Sequence, residues 1–276
     1  MMASNGQVQR GEDDRLFCAH IEDLARQMQR DNLPCFTRFL DGREQALAAM
    51  TLAKLHLPKE QMLFYAGFVG QLPQGVPDVG RRMLGIFPDY LAQSEMIAPE
   101  VLYEQFPICN VALFYRAQDG LTHRDLLGSL MGLGLKREMI GEILTGEDLA
   151  VLFCTQTAQD LILSELERVG RAGVRIQPNY CGDLPPACRL QYRSGTVSSL
   201  RLDCVVSLML NLSREKSAAL IEGGQVNLNF FEQTKISKEV AQGDILSIRG
   251  YGRFVLVQIG EKSKKGRLHL TVGQYV

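Results

Sequence analysis

Apolar residues recur at helical spacing through Leu16, Phe17, His20, Ile21, Leu24 and Met28, the signature of one buried helix face. A second helical pattern begins at Arg43 and runs through the Ala- and Leu-rich stretch to Leu55, with Pro58 as its stop. Met62 to Val69 is apolar and aromatic and predicts a strand. Met83 to Phe87 is its expected hairpin partner across the Gly- and Pro-rich residues 70–80. Residues 1–100 therefore read as a mainly helical N-terminal domain with a short hairpin.

The next stretch, residues 101–180, has a different grammar. Asn110 to Arg116 predicts a strand, and Thr122 with Asp125 three residues later forms a capping box. Leu126, Leu127, Leu130 and Met131 give the following helix an apolar face. Met139 to Leu144 and Leu149 to Cys154 predict strands around the turn at 145–148. Ala158 to Val169 returns to the helical period, and Val174 to Ile176 predicts a last strand. The order β-α-β-β-α-β is that of a ferredoxin-like, RNA-recognition-motif-like domain. Leu149 to Cys154 lacks the aromatic string with which such domains stack on bases.

Residues 181–196 are rich in Pro, Gly and Ser and read as a linker. Residues 197–276 form a small terminal module. Leu202, Val205, Val206 and Met209 mark the inner side of a helix over 200–210, and Ser213 is placed to cap a second helix ending at Gly223 and Gly224. Strands are expected at 225–228, 245–249, 254–259 and 267–272. The whole is an α+β protein.

Composition narrows the chemistry. The 276 residues are 46% hydrophobic and 22% charged, which excludes a disordered or fibrous chain. No stretch approaches the roughly 18–20 apolar residues of a membrane span, and Met1 to Asp14 is too polar for a secretory signal. The seven cysteines form no C-x-x-C pair, so reduced thiols in a cytoplasmic protein are expected. The net charge of −1 is unevenly spread. Residues 200–276 hold eleven Lys and Arg against seven Asp and Glu, a balance of +4 that suits a polyanion.

The terminal module carries a resemblance. Ser199-Leu-Arg-Leu-Asp203, Asn211-Leu-Ser-Arg214, Ala218 to Asn227 and Gly243-Asp-Ile245 resemble, in order and spacing, the RNA-binding domain named after small-subunit ribosomal protein S-four. Arg249-Gly-Tyr-Gly-Arg-Phe254 and Lys264-Lys-Gly-Arg267 narrow the resemblance to the YlmH family. Phe39-Leu-Asp-Gly-Arg-Glu-Gln45 is similar to that family's F-L-D-P-R-E-Q block, with Gly42 for the usual Pro. Leu121 to Ile143 is similar to its longest signature, with Glu142 where Asp is commoner. Asp78-Val-Gly-Arg-Arg82 departs from the usual A-E-R-K-R string. The resemblance implies a bacterial-type cytoplasmic RNA-binding protein, and a non-catalytic monomer is expected. Its implied partners are ribosomal RNA, tRNA and the large ribosomal subunit, and its implied role is quality control of stalled translation.

The residues fit that implication. Ser213, Arg214 and Lys216 place a hydroxyl and two cations at a helix N-terminus, where free N–H groups favour a phosphate. Arg201, Lys235, Arg249 and Arg253 extend the basic face, and Lys262, Lys264, Lys265 and Arg267 form a basic loop able to follow a backbone. His123 and Arg124 begin the middle domain's first helix, with Lys136 and Arg137 beyond its other end, roughly 18–20 Å away at 1.5 Å per residue. Two readings stand for these four: a second RNA contact, or a capped helix with solvated charges.

Catalysis finds no support. His123-Arg-Asp-Leu126 imitates the start of a kinase loop, but Leu130 occupies its Asn position. Ser213-Arg-Glu-Lys216 has no partner motifs, and neither a phosphate-binding loop nor a nucleophile elbow is present. No metal, cofactor or small-molecule substrate is expected. The rival readings are an RNA-modifying enzyme or accessory of the pseudouridine-synthase kind, and an interaction scaffold linked to cell division.

Overall fold

The computed structural model describes residues 2–70, 72–73, 76–92, 99–263 and 266–276. The chain divides into two compact units, one comprising Met1–Val69 and Gly80–Pro186, the other Gly70–Val79 and Ala187–Val276. The expected N-terminal and middle domains thus share one unit, and residues 70–79 belong with the C-terminal one.

In the first unit, helix α1 (Met2–Asp31) packs on α2 (Gly42–Lys54), and both cover a three-stranded sheet of β1 (Cys35–Leu40), β2 (Met62–Tyr65) and β3 (Arg82–Ile86) in the order β1-β3-β2. The hairpin of β2 and β3 is as expected, but β3 lies at the centre because β1 pairs with its other edge. Ile21, Ala25, Met28, Leu40, Ala48, Leu52, Leu84 and Ile86 close this core. A β1 bulge between Phe36 and Phe39 leaves Leu84 N–H without a strand partner, and it donates to Thr37 Oγ1 at 3.0 Å instead. Asp41 and Glu44 form a full capping box at the start of α2.

Short helices α3 (Asp89–Ala92) and α4 (Pro99–Glu104) lead to the second part of this unit. Its strands are β4 (Cys109–Phe114), β5 (Ile140–Thr145), β6 (Leu149–Cys154) and, after a helix and a hairpin, β9 (Arg175–Pro178). The sheet order β5-β6-β4-β9 is antiparallel throughout. Helices α5 (His123–Gly132) and α6 (Gln156–Glu165) bury Leu126, Leu130, Ala158 and Ile162 against Val111, Leu113, Ile143 and Leu152. Thr122 and Asp125 cap α5 reciprocally, as their spacing predicts. Helix α6 stops at Glu165, not Val169. Arg168–Val169 (β7) and Ala172–Gly173 (β8) form a tight hairpin around Gly170, whose φ of +58° is a conformation a helix cannot hold.

The second unit is built on a six-stranded sheet ordered β10-β15-β14-β13-β11-β12 among the described residues. Its strands are β10 (Leu190–Val197), β11 (Val226–Leu228), β12 (Phe231–Glu232), β13 (Ile245–Ile248), β14 (Gly252–Lys262) and β15 (Leu268–Tyr275), with helices α7 (Leu202–Leu210) and α8 (Arg214–Glu222) on one face. Val205, Val206, Met209, Ile221, Leu246, Leu256 and Leu270 form its core. The later part of the expected linker, from Leu190 onward, is β10, which pairs with β15 at every position from Leu190–Tyr275 to Val197–Leu268. Arg193 Nη1 also donates to Met209 O, in the last turn of α7, at 2.9 Å. Residues 70–79 are fastened here too: Val76 is buried, Tyr275 Oη donates to Pro77 O at 2.8 Å, and Arg253 Nη1 donates to Val79 O at 3.2 Å.

Two measurements check this architecture. A fragment of residues 187–276 should resist proteolysis better than one of 197–276, because the shorter one strips β15 of its outer partner; equal resistance would make β10 dispensable. Gly141 has no room for a side chain, since a Cβ there would sit 2.5 Å from the Phe39 ring. Gly141→Ala should therefore cost about 1–3 kcal/mol in denaturant unfolding. Gly128→Ala, in open space on α5, should be neutral or stabilise by up to about 1 kcal/mol.

Candidate nucleic-acid interface

The second unit's basic residues gather where its two helices begin. Ser213 is the N-cap of α8, and its hydroxyl accepts the Lys216 N–H at 3.3 Å. Asn211 ends α7 with φ +55°, turning the chain so that α8 starts at once. Arg201 stands at the N-cap of α7 without capping it. Its Nε instead donates to Asp203 Oδ1 at 3.1 Å, while Arg214 Nη2 donates to Asp203 Oδ2 at 2.6 Å. The Asp203 side chain is 5% exposed, against 39% for Arg201 and 57% for Arg214. Burial alone would raise the Asp203 pKa, but bonds to the two guanidiniums outweigh it and hold the carboxyl below its usual range. The same bond raises the pKa of Arg214.

The loop after β12 completes the cluster. Leu202 N–H donates to Lys238 O, Asp203 N–H to Ile236 O and Val240 N–H to Leu200 O, at 2.8, 3.3 and 2.9 Å. These bonds lay the loop beside the start of α7 and bring the exposed Lys235 and Lys238 alongside Arg201. They also occupy the first N–H groups of α7, so the anion-seeking helix end is that of α8. Lys238 is not marked in the sequence because its loop has no periodicity; a second lysine three residues after Lys235 is its only signal.

Other expected residues lie elsewhere. Arg267 donates from Nε and Nη2 to Thr196, near the end of β10, so with exposed Lys262 it marks the end of the sheet from which α7 starts. Arg249, exposed in the turn after β13, and Arg253 lie toward the opposite end. Arg253 is half-buried over the Phe230 ring and bound to Val79 O, so its role here is to hold residues 70–79. Lys264 and Lys265 lie outside the described residues.

In the first unit, the proposed second contact divides. Arg124 and Lys136 are exposed, but Arg137 is half-buried and donates to Ile140 O at 2.7 Å. Burial, then the charge of Arg81, lower its pKa to about 10. The chain turns back after α5, with φ +82° at Gly134, instead of carrying Arg137 away along the helix axis. Although much of His123 meets solvent, partial burial and then the charge of Arg137 lower its pKa. The sheet face turned away from α5 and α6 is covered at Phe153 and Phe114 by the unit's own chain. Phe68 stacks on Phe153 at 4.8 Å, and Tyr180 exchanges two bonds with Asn110 and meets Phe114 edge-on. Bases cannot stack on Phe153 while Phe68 is there.

Residues 105–182 match the family model described as "Putative RNA-binding domain in YlmH". Over 260 residues the chain is 32% identical to the ribosome-associated protein quality control protein P2 of Bacillus subtilis (strain 168), covering 94% of each sequence. The chain belongs to the YlmH family. A solved structure, the cell division protein ylmH from Streptococcus pneumoniae, is 19% identical and aligns over 61% of this chain and 92% of its own with a TM-score of 0.47.

Within the YlmH-family blocks, Gly42 is the first residue of α2, the helical position at which a proline is best tolerated. The other two departures meet: Arg81 N–H donates to Glu142 Oε2 at 3.0 Å, and Arg81 Nη2 donates to Phe39 O at 2.7 Å.

Removing the neighbouring charge by Arg137→Gln should raise the His123 pKa toward about 6.5. An NMR titration of the imidazole reads it, and an unchanged midpoint would show that His123 does not feel Arg137. Because the folded pKa is depressed, stability contributed by neutral His123 is present above the unfolded pKa and falls as pH drops through it.

Proposed function

We propose that this protein binds RNA on the ribosome without catalysing a reaction, and that its main RNA surface is the cluster at the starts of α7 and α8. One observation carries this: Asp203 joins Arg201 to Arg214 at the open N-terminus of α8, where Lys216 follows, and the loop bearing Lys235 and Lys238 docks on the first turn of α7. A helix start supplies N–H groups and partial positive charge, and the side chains supply full charges, a combination suited to phosphate. We read the second unit as an S-four-type RNA-binding domain and the β4-to-β9 segment as a ferredoxin-like fold. The name of the Bacillus subtilis relative supports ribosome association and a role in protein quality control, which we assign to stalled translation. Ribosomal RNA of the large subunit and tRNA held there are the partners we assign, in the cytoplasm. Exposed Arg124 and Lys136 form a secondary contact in this reading.

Co-sedimentation with separated ribosomal subunits, followed by mapping of RNA crosslinks, tests the assignment; association with the small subunit alone would refute it. Lys216→Ala with Lys235→Ala should leave the melting temperature nearly unchanged, since both side chains are exposed. The slope of log affinity against log salt should shrink by roughly 0.7–0.9 for each phosphate that a lysine no longer neutralises. An unaltered slope would make the two lysines bystanders.

A further inference from the structure

We propose that Asp203 is a positioning residue for RNA: its buried carboxylate fixes Arg201 and Arg214 as one fork that receives a phosphate. This rests on the interface assigned above and deepens it.

The burial is asymmetric. The carboxylate is 5% exposed, while the two arginine side chains are 39% and 57% exposed. Leaving the cations at the surface spares their desolvation and keeps their free donors within reach of a ligand. Here the anion lies beneath and the cations lie at the surface, with a net charge of +1. The donors are also unevenly used. Asp203 takes Nε and Nη2 of Arg201 and Nη2 of Arg214. Arg201 Nη1 and Arg214 Nε and Nη1 have no hydrogen-bond partner among the described residues. Those groups remain for a ligand with several acceptor oxygens, and a phosphate accepts from paired guanidinium donors in that manner. Without the carboxylate, two long side chains of like charge would separate, and binding would have to order both. Exposed Lys216 lies in the same first turn of α8 as Arg214, and exposed Lys235 and Lys238 lie in the loop that docks on the start of α7.

The role predicts an effect opposite in sign to simple electrostatics. Asp203→Asn nearly keeps the shape and raises the net charge by one. If charge alone governed binding, affinity for total ribosomal RNA would rise. We expect it to fall about tenfold for the full-length protein, with the salt slope reduced by the equivalent of roughly one phosphate. Arg214→Lys, which keeps the charge and removes the planar fork, should fall similarly with an unchanged melting temperature. If Asp203→Asn fails to fold, Arg214→Lys decides alone: wild-type affinity in that variant overturns the fork. Unimpaired or tighter binding by folded Asp203→Asn, with Lys216→Ala weakened, overturns the positioning role and leaves the interface standing. A wild-type protein with no salt-dependent RNA binding overturns both.

Discussion

A carboxylate cannot stay charged in an apolar interior unless donors surround it, and Asp203 meets that demand from two helices. Its side chain lies in the first turn of α7, next to the core residues Leu202, Cys204 and Val205. One partner precedes α7 and the other opens α8. The pairing therefore fixes where α8 starts relative to α7. The turn between them follows, with Asn211 left-handed and the Ser207 hydroxyl bonded to Leu212 O. The loop carrying Lys235 and Lys238 docks on the same first turn. Stability and surface charge are thus products of one arrangement.

The first unit is organised differently. Its four-stranded sheet carries helices on one face and Phe68 and Tyr180 over part of the other, while β9 stays largely exposed. The absence of an aromatic string in β6 agrees with this, since Phe153 is committed to an internal stack and is 2% exposed. Gly67, with φ +97°, lets the covering chain come close: a Cβ there would lie 2.5 Å from the Phe153 ring. Charges in this unit likewise serve assembly, with Arg81 joining Phe39, Glu44 and Glu142.

Local signals are legible in the sequence. The capping residues Thr122 and Ser213 start helices where their spacing says, because a cap acts within one turn. What cannot be read depends on distant partners or lacks a period. Strand β10 has a nearly all-exposed pattern, ending only in buried Val197, so its Gly and Ser content looks like a linker; its stability comes from the β15 ladder. Strand β1 is hidden by the bulge that breaks its alternation. Apolar Val169 extends the α6 pattern past the point where Gly170 reverses the chain. At the candidate site, Arg214 and Lys216 are visible from the helix start. Asp203 looks like an ordinary first-turn acid, and nothing local to Arg253 or Arg137 tells that their guanidiniums are committed to backbone carbonyls.

The placement of residues 70–79 has a consequence for how the chain is made. Pro77 is bonded to Tyr275, 198 residues later, and Val79 to Arg253, 174 residues later. Ribosomes add roughly 5–20 residues per second, so the short segment emerges about 10–40 s before its final partner exists. It divides the first unit's sequence, yet belongs to the unit that holds β15. The nascent first unit must therefore tolerate an undocked excursion until Arg253 and Tyr275 are made. Pro73, Pro77 and the polar residues around them suit that wait, because a segment poor in β-forming runs offers little for premature pairing.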